Sequence, residues 1–209
     1  MNGLLMIEHL VGNMVYPLSN LKKYKIVLAS NSPRRKQLLE QLGLEFNTRV
    51  IKDIDETYPI DMYADDIAAY ISAKKADTYR ETMSDNELII TADTIVVCDD
   101  KVLGKPIDAD DACAMLRMLS GRTHKVITGV TIVAKDLVKT FDCVTEVDFD
   151  ILSEDEISFY VNEYKPMDKA GAYGIQEWIG CVGVKGMRGS FYNVMGLPVQ
   201  KLYKELSEI

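Results

Sequence analysis

The stretch Lys25-Ile26-Val27-Leu28-Ala29-Ser30-Asn31-Ser32-Pro33-Arg34-Arg35-Lys36 runs from apolar residues through turn formers into a basic cluster. Lys25 to Ala29 is short, apolar and closed by turn residues, so it reads as a buried strand. Ser30, Asn31 and Ser32 can each cap a helix, and Pro33 suits a first helical position, where a missing N–H costs nothing. Leu38, Leu39 and Leu42 then share one face, and Gly43 ends the helix. Strand, tight turn and helix in this order predict an α/β protein whose first turn is of a size to hold a phosphate. Arg34, Arg35 and Lys36 strengthen that reading. Cations in a first helical turn face the positive end of the dipole at a cost of up to ~1 kcal/mol. A local rule broken in this way points to a functional site. Free N–H groups beside an Arg fork, with the Ser30 hydroxyl, suit phosphate oxygens. The plain alternative is a solvated basic helix start. Neither G-x-x-x-x-G-K-S/T nor G-x-G-x-x-G occurs, so this is not a Walker or dinucleotide loop.

Working outward, Leu44 to Ile51 reads as a second strand, followed by the acidic loop Asp53-Ile54-Asp55-Glu56. Tyr63 to Tyr79 has helical spacing. Leu88 to Ala92 and Thr94 to Cys98 read as strand segments interrupted at Asp93, with a turn at Asp99-Asp100-Lys101. Asp108 opens a helix to Leu119. The β-branched stretches 123–134 and 138–149 form a hairpin, and Ser153 caps a helix to about Asn162. Residues 166–196 read as loops and short strands, and Pro198 to Glu208 as a closing helix. The fold class is α/β, a mixed β-sheet flanked by helices, with two lobes around a central cleft. Residues 1–20 read as an N-terminal extension, with Met14 as an alternative start, and 21–209 as a single domain.

The chain has 209 residues and a formal net charge of −8. That global field repels nucleic acid and anionic membranes, and no apolar run reaches the ~18 residues that would span a membrane. Four cysteines without a C-x-x-C pair, and only two histidines, argue against zinc and for buried thiols in a reducing cytoplasm. An anionic substrate therefore needs a local cluster of cations.

Several groups can supply chemistry. Asp93 breaks an apolar strand, and a carboxylate there needs a partner: a divalent cation, an activated water, or the turn it would cap. Glu56 offers a second oxygen ligand, and Mg²⁺ takes one or two carboxylates with water and phosphate completing its shell. Lys75, at the end of its helix, can face the cleft, whereas Lys74 reads as a surface lysine. Lys105 lies in the stiff Gly104-Lys105-Pro106. Gln176, after three small residues and a glycine, can both donate and accept at a base edge. Trp178 reads as a packing residue.

Together these pieces resemble one family. Leu28 to Arg35, Ala92-Asp93-Thr94, Leu103-Gly104-Lys105-Pro106, Leu119 to His124, Pro166 to Gln176 and Gly196-Leu197-Pro198 are similar, in order, to motifs of the Maf nucleotide pyrophosphatases. The resemblance spans Lys25 to the C-terminus. It implies hydrolysis of a nucleoside triphosphate to the monophosphate and pyrophosphate, with Mg²⁺ or Mn²⁺ held by Asp93 and Glu56, in a cytoplasmic protein that can pair as a homodimer. It implies Asp93 as catalytic base, and Arg34, Thr94 and Gln176 as residues that select the substrate. Ser30, Arg35, Lys75 and Lys105 would join them in holding the phosphates. The combination resembles the subgroup acting on dTTP and UTP, including modified pyrimidine nucleotides in a house-cleaning role. The alternatives are a 7-methyl-GTP or other modified-nucleotide pyrophosphatase, and a non-catalytic nucleotide-binding regulator of cell division. Glu177-Trp178 departs from the family pattern, in which glycine commonly follows the glutamine.

Overall fold

The computed structural model describes residues 17–209, so most of the extension read at 1–20 lies outside the described residues. Residues 17–20 pack onto the body: Leu18 is buried, and Asn20 donates to the Leu206 carbonyl at 2.9 Å. The strands are β1 (Lys25–Leu28), β2 (Phe46–Thr48), β3 (Glu87–Cys98), β4 (Lys101–Leu103), β5 (Thr123–Ala134), β6 (Leu137–Phe149) and β7 (Val184–Arg188). The α-helices are α1 (Pro33–Glu40), α2 (Ala64–Arg80), α3 (Ala109–Leu119), α4 (Glu154–Tyr164), α5 (Trp178–Val182), α6 (Phe191–Val194) and α7 (Val199–Ser207). All seven strands form one mixed sheet in the order β2-β1-β3-β5-β6-β7, with β4 on β3. β1 is parallel to β2 and β3, and the other pairings are antiparallel.

Alternation along the strands assigns the two faces. Ile26 and Leu28 of β1 join Leu88 and Ile90 of β3 beneath α1 and α7. Farther along the same face, Val96, Val126, Val147 and Phe149 pack under α3, α4 and α5. Val27, Ile89, Ile95 and Ile127 face the opposite way, against α2. Two cores thus sit side by side on one face, and a single long helix covers the other.

The sequence expectations hold where periodicity is long and differ where it is short. Asp93 does not interrupt β3: it pairs with Gly129 of β5 inside a continuous strand, because Lys75 satisfies its side chain. The second strand shrinks to three residues at the sheet edge. Residues 166–196 contain the short helices α5 and α6 as well as β7. Of the four cysteines, which are free thiols, Cys98 is buried but Cys181 is exposed on α5.

Gly129 brings α2 close to the sheet. A Cβ at this position would lie 2.2 Å from the backbone of Ala68, so only a bare Cα lets the helix settle directly over the strand that pairs with Asp93. Gly129→Ala should therefore destabilise the fold by about 2 kcal/mol or more, lowering Tm by roughly 4–8 °C in a thermal melt.

His124 is buried between Phe149 and Tyr173, with Nε2 2.7 Å from the Tyr173 hydroxyl and Nδ1 lacking a partner. Burial lowers its pKa to about 4. The unfolded chain protonates first as pH falls, so this stabilisation is complete above about 6.5 and lost toward 4. The difference in urea-unfolding free energy between wild type and His124→Gln should shrink as pH is lowered through that window.

Candidate functional site

β3 follows β1 as far as Ile90, paired to Leu28, and takes up β4 only at Val96, paired to Leu103. Between these points its edge has no partner strand. Ala92, Asp93 and Thr94 lie in this gap, near the carboxyl end of the parallel pair, where α/β sheets commonly open a crevice. A cleft of about 940 Å³ runs through it. Asp93 turns toward α2 and Thr94 toward the opposite face, so neighbouring residues reach different parts of one cavity.

The Ser30–Arg35 turn forms one wall. Ser32 caps α1, its hydroxyl accepting the Arg35 N–H at 3.3 Å, and Ser30 accepts the Ser32 N–H at 3.1 Å. Pro33 has no N–H. The Ser32 and Arg35 N–H groups are thus spent on the turn itself, and more of the binding capacity falls to the side chains. Arg35 lies across the gap, donating to the carbonyls of Ala92 and Gly196 at 2.8 Å each and to Thr94 Oγ1 at 3.0 Å. Burial draws its pKa down, opposed by the nearby Asp93 charge. Thr94 also meets Thr128 at 2.9 Å, and Thr128 donates to the Asn193 carbonyl. The Thr94 proton is thereby committed to Thr128, and its oxygen accepts from Arg35.

On the α2 side, Lys75 Nζ donates to Asp93 Oδ1 at 2.7 Å and pairs with Glu56 at 2.8 Å. Burial pushes the Glu56 carboxyl up, but Lys75, Lys105 and Arg35 reverse this and leave it below the usual carboxylate range. Lys74 holds Asp55 and Thr57, fixing the loop that presents Glu56. Lys105 and Gln176 both line the cleft and are exposed.

With this geometry in place, the similarity to known proteins is informative. Residues 25–209 match the family model described as Maf-like protein. The chain belongs to this family. A relative from Bacteroides thetaiotaomicron named dTTP/UTP pyrophosphatase is 56% identical over 192 residues, covering 92% of this chain and all of the relative. One from Parabacteroides distasonis with the same name is 58% identical over 189 residues, covering 90% of this chain and 98% of its own. Among solved structures, a HAM1 protein from Coxiella burnetii covers 89% of this chain and 100% of its own at a TM-score of 0.48 and 15% identity.

All eight residues singled out in the sequence beside Asp93 line the same cleft, except that Arg35 braces strands more than it faces outward. Two further groups, within the Pro166–Gln176 motif, had no role assigned from the sequence. Asp168 bridges Arg34 at 2.7 Å and Lys169 at 2.8 Å. Burial raises its carboxyl, and these two cations bring it down to about 2. Lys169 is itself buried, an uncommon state for lysine that depends on its pairing with Asp168 and Glu177. The visible signal was an opposite-charge pair set directly before the small residues Ala170-Gly171-Ala172. Trp178 packs edge-on to Phe159 at 4.9 Å and does not line the cleft.

Five cations (Arg34, Arg35, Lys75, Lys105, Lys169) and four carboxylates (Asp53, Glu56, Asp93, Asp168) line the cleft, leaving a balance of +1. A triphosphate carries more negative charge than this can offset. Asp93 and Glu56 both pair with the Lys75 ammonium and so lie close to one another, and two neighbouring carboxylates are a donor set that fits a hard divalent cation. No cluster of three or more His, Cys, Asp or Glu side chains occurs among the described residues.

Lys75→Met removes the hydrogen bond and charge that lower Glu56. Its carboxyl should then titrate at higher pH than in wild type, as read from side-chain ¹³C shifts.

Proposed function

We propose that this protein hydrolyses dTTP and UTP to the nucleoside monophosphate and pyrophosphate. The observation that carries this reading is Asp93 set within the cation-lined gap of β3, one carboxylate oxygen held by Lys75. The names of the relatives support the pyrimidine substrates.

In this mechanism the triphosphate lies along the Arg34, Lys75 and Lys105 wall. Water attacks the α-phosphorus; a new P–O bond forms while the bond to the bridging oxygen breaks, and pyrophosphate leaves with that electron pair. Lys75 fixes Asp93 Oδ1, and Oδ2 takes the proton of the attacking water. Lys105 and Arg34 stabilise charge on the leaving group. Mg²⁺ or Mn²⁺, held by Asp93 and Glu56, would supply Lewis-acid charge neutralisation at the phosphates. Gln176 reads the carbonyl and N–H edge shared by uracil and thymine. Free thiols and a nucleotide substrate suit the cytoplasm, and no helix among the described residues is long and apolar enough to cross a membrane.

A panel of nucleoside triphosphates, run with Mg²⁺, Mn²⁺ or chelator and read by pyrophosphate release, tests this directly. UTP and dTTP should be preferred, and chelator should suppress turnover. Asp93→Asn should lower release by about 10³-fold or more with an unchanged far-UV spectrum. Near-normal turnover of that variant, or preference for 7-methyl-GTP, would refute the reading.

A further inference from the structure

Gln176 stands on a turn whose fastening involves residues with no part in the mechanism above. The Glu177 N–H donates to the Gly174 carbonyl at 2.9 Å, closing the turn. The Glu177 carboxylate accepts from the Tyr160 hydroxyl and pairs with Lys169 at 3.0 Å. The Tyr160 oxygen accepts the Gly174 N–H at 3.0 Å, so one phenol holds both ends of the turn. Burial, and then Glu177, raise the Tyr160 pKa, so the phenol stays protonated as a donor. Behind the turn, a Cβ on Gly180 would lie 1.8 Å from the Ile175 carbonyl oxygen, which shows how closely α5 backs it.

Gly174 forms the floor of this arrangement. A Cβ there would stand 2.8 Å from Gln176 Nε2, 2.9 Å from Glu177 Cδ and 3.0 Å from Lys169 Cε. The Gln176 amide nitrogen and the Glu177 carboxyl carbon thus approach the same point over the glycine. The two Glu177 oxygens are taken by Tyr160 and Lys169, so the fastening is complete without the Gln176 side chain. The exposed Gln176 carboxamide is left to a ligand, its N–H₂ for a base carbonyl and its oxygen for a base N–H. An amide oxygen held against the base edge favours a base that presents an N–H there and disfavours one that presents a lone pair. Uracil and thymine carry N3–H; cytosine carries an N3 lone pair.

We propose that Glu177, acting through Tyr160 and Lys169, is a positioning residue that fixes the turn carrying Gln176 and thereby the preference for uracil and thymine over cytosine. The inference rests on the pyrimidine triphosphate reading of the site. It also gives a role to the one departure from the family pattern in this segment. The acidic side chain at 177 fastens the turn that a glycine would leave to its backbone.

The test compares kcat and KM for UTP and CTP in wild type, Glu177→Gln and Tyr160→Phe, with a thermal melt of each. Glu177→Gln should reduce the UTP to CTP ratio of kcat/KM by about tenfold, chiefly through a higher KM for UTP, with kcat within about threefold. Tyr160→Phe should move the ratio the same way by a smaller factor, and Glu177→Asp should recover part of it. Variants that melt lower yet keep the wild-type ratio would overturn the proposal and leave Glu177 a structural fastening. A wild-type protein that hydrolyses neither UTP nor dTTP would overturn the pyrimidine reading and this inference with it. A wild type that prefers UTP, with variants that do so equally, would overturn this inference alone.

Discussion

The Arg35 guanidinium is the contact on which the cleft depends. A sheet edge left unpaired in mid-strand exposes carbonyl groups that must be satisfied. β3 has such a stretch between the end of β1 and the start of β4, and Arg35 enters it from the first turn of α1. Its fork takes the Ala92 carbonyl and Thr94 hydroxyl of β3 and the Gly196 carbonyl before α7, so three parts of the chain meet at one side chain. The gap can then stay open as a cavity without collapsing into a longer parallel ladder. A cation placed against its own helix dipole is tolerated because its charge leaves the helix end for these acceptors.

The second constraint acts from the opposite face. The close approach of α2 over Gly129 puts Lys75 within reach of Asp93, since Gly129 and Asp93 are paired across β5 and β3. A buried carboxylate in an apolar strand is costly when alone and acceptable when an ammonium is delivered to it. One bare Cα and one lysine, about two helical turns along from Ala68, together account for a charged residue in mid-strand.

Much of the fold was legible because its signals are local. The β1–turn–α1 unit follows from an apolar run, a Ser cap and a proline, and the β5–β6 hairpin from two long β-branched stretches. Asp93 stood out as a carboxylate in an apolar run, although the strand was read as broken there, since the sequence does not show that Lys75 lies opposite. What stayed hidden depends on distance along the chain. Arg35 binds carbonyls 57 and 161 residues away, and Arg34 meets Asp168 across 134. Backbone acceptors carry no residue type, so no sequence pattern could have marked them. Helices of five and four residues, as at Trp178–Val182 and Phe191–Val194, are too short to display a period. The departure at Glu177 was visible, but its purpose required the positions of Tyr160 and Lys169.

The pairing of cations with carboxylates along the cleft has a consequence of its own. Arg34 is held by Asp168, Lys75 by Asp93 and Glu56, and Lys169 by Asp168 and Glu177. A small anion that takes up one of these three cations breaks an existing ion pair to form the new one, and so gains little. A polyanion that engages several of these cations at once, on a single linked scaffold, breaks the pairs together and bears the entropy of capture only once. The resting cleft is thus insulated against the simple phosphates and carboxylates that crowd any cell, and it discriminates by the number of charges a guest brings before it discriminates by base.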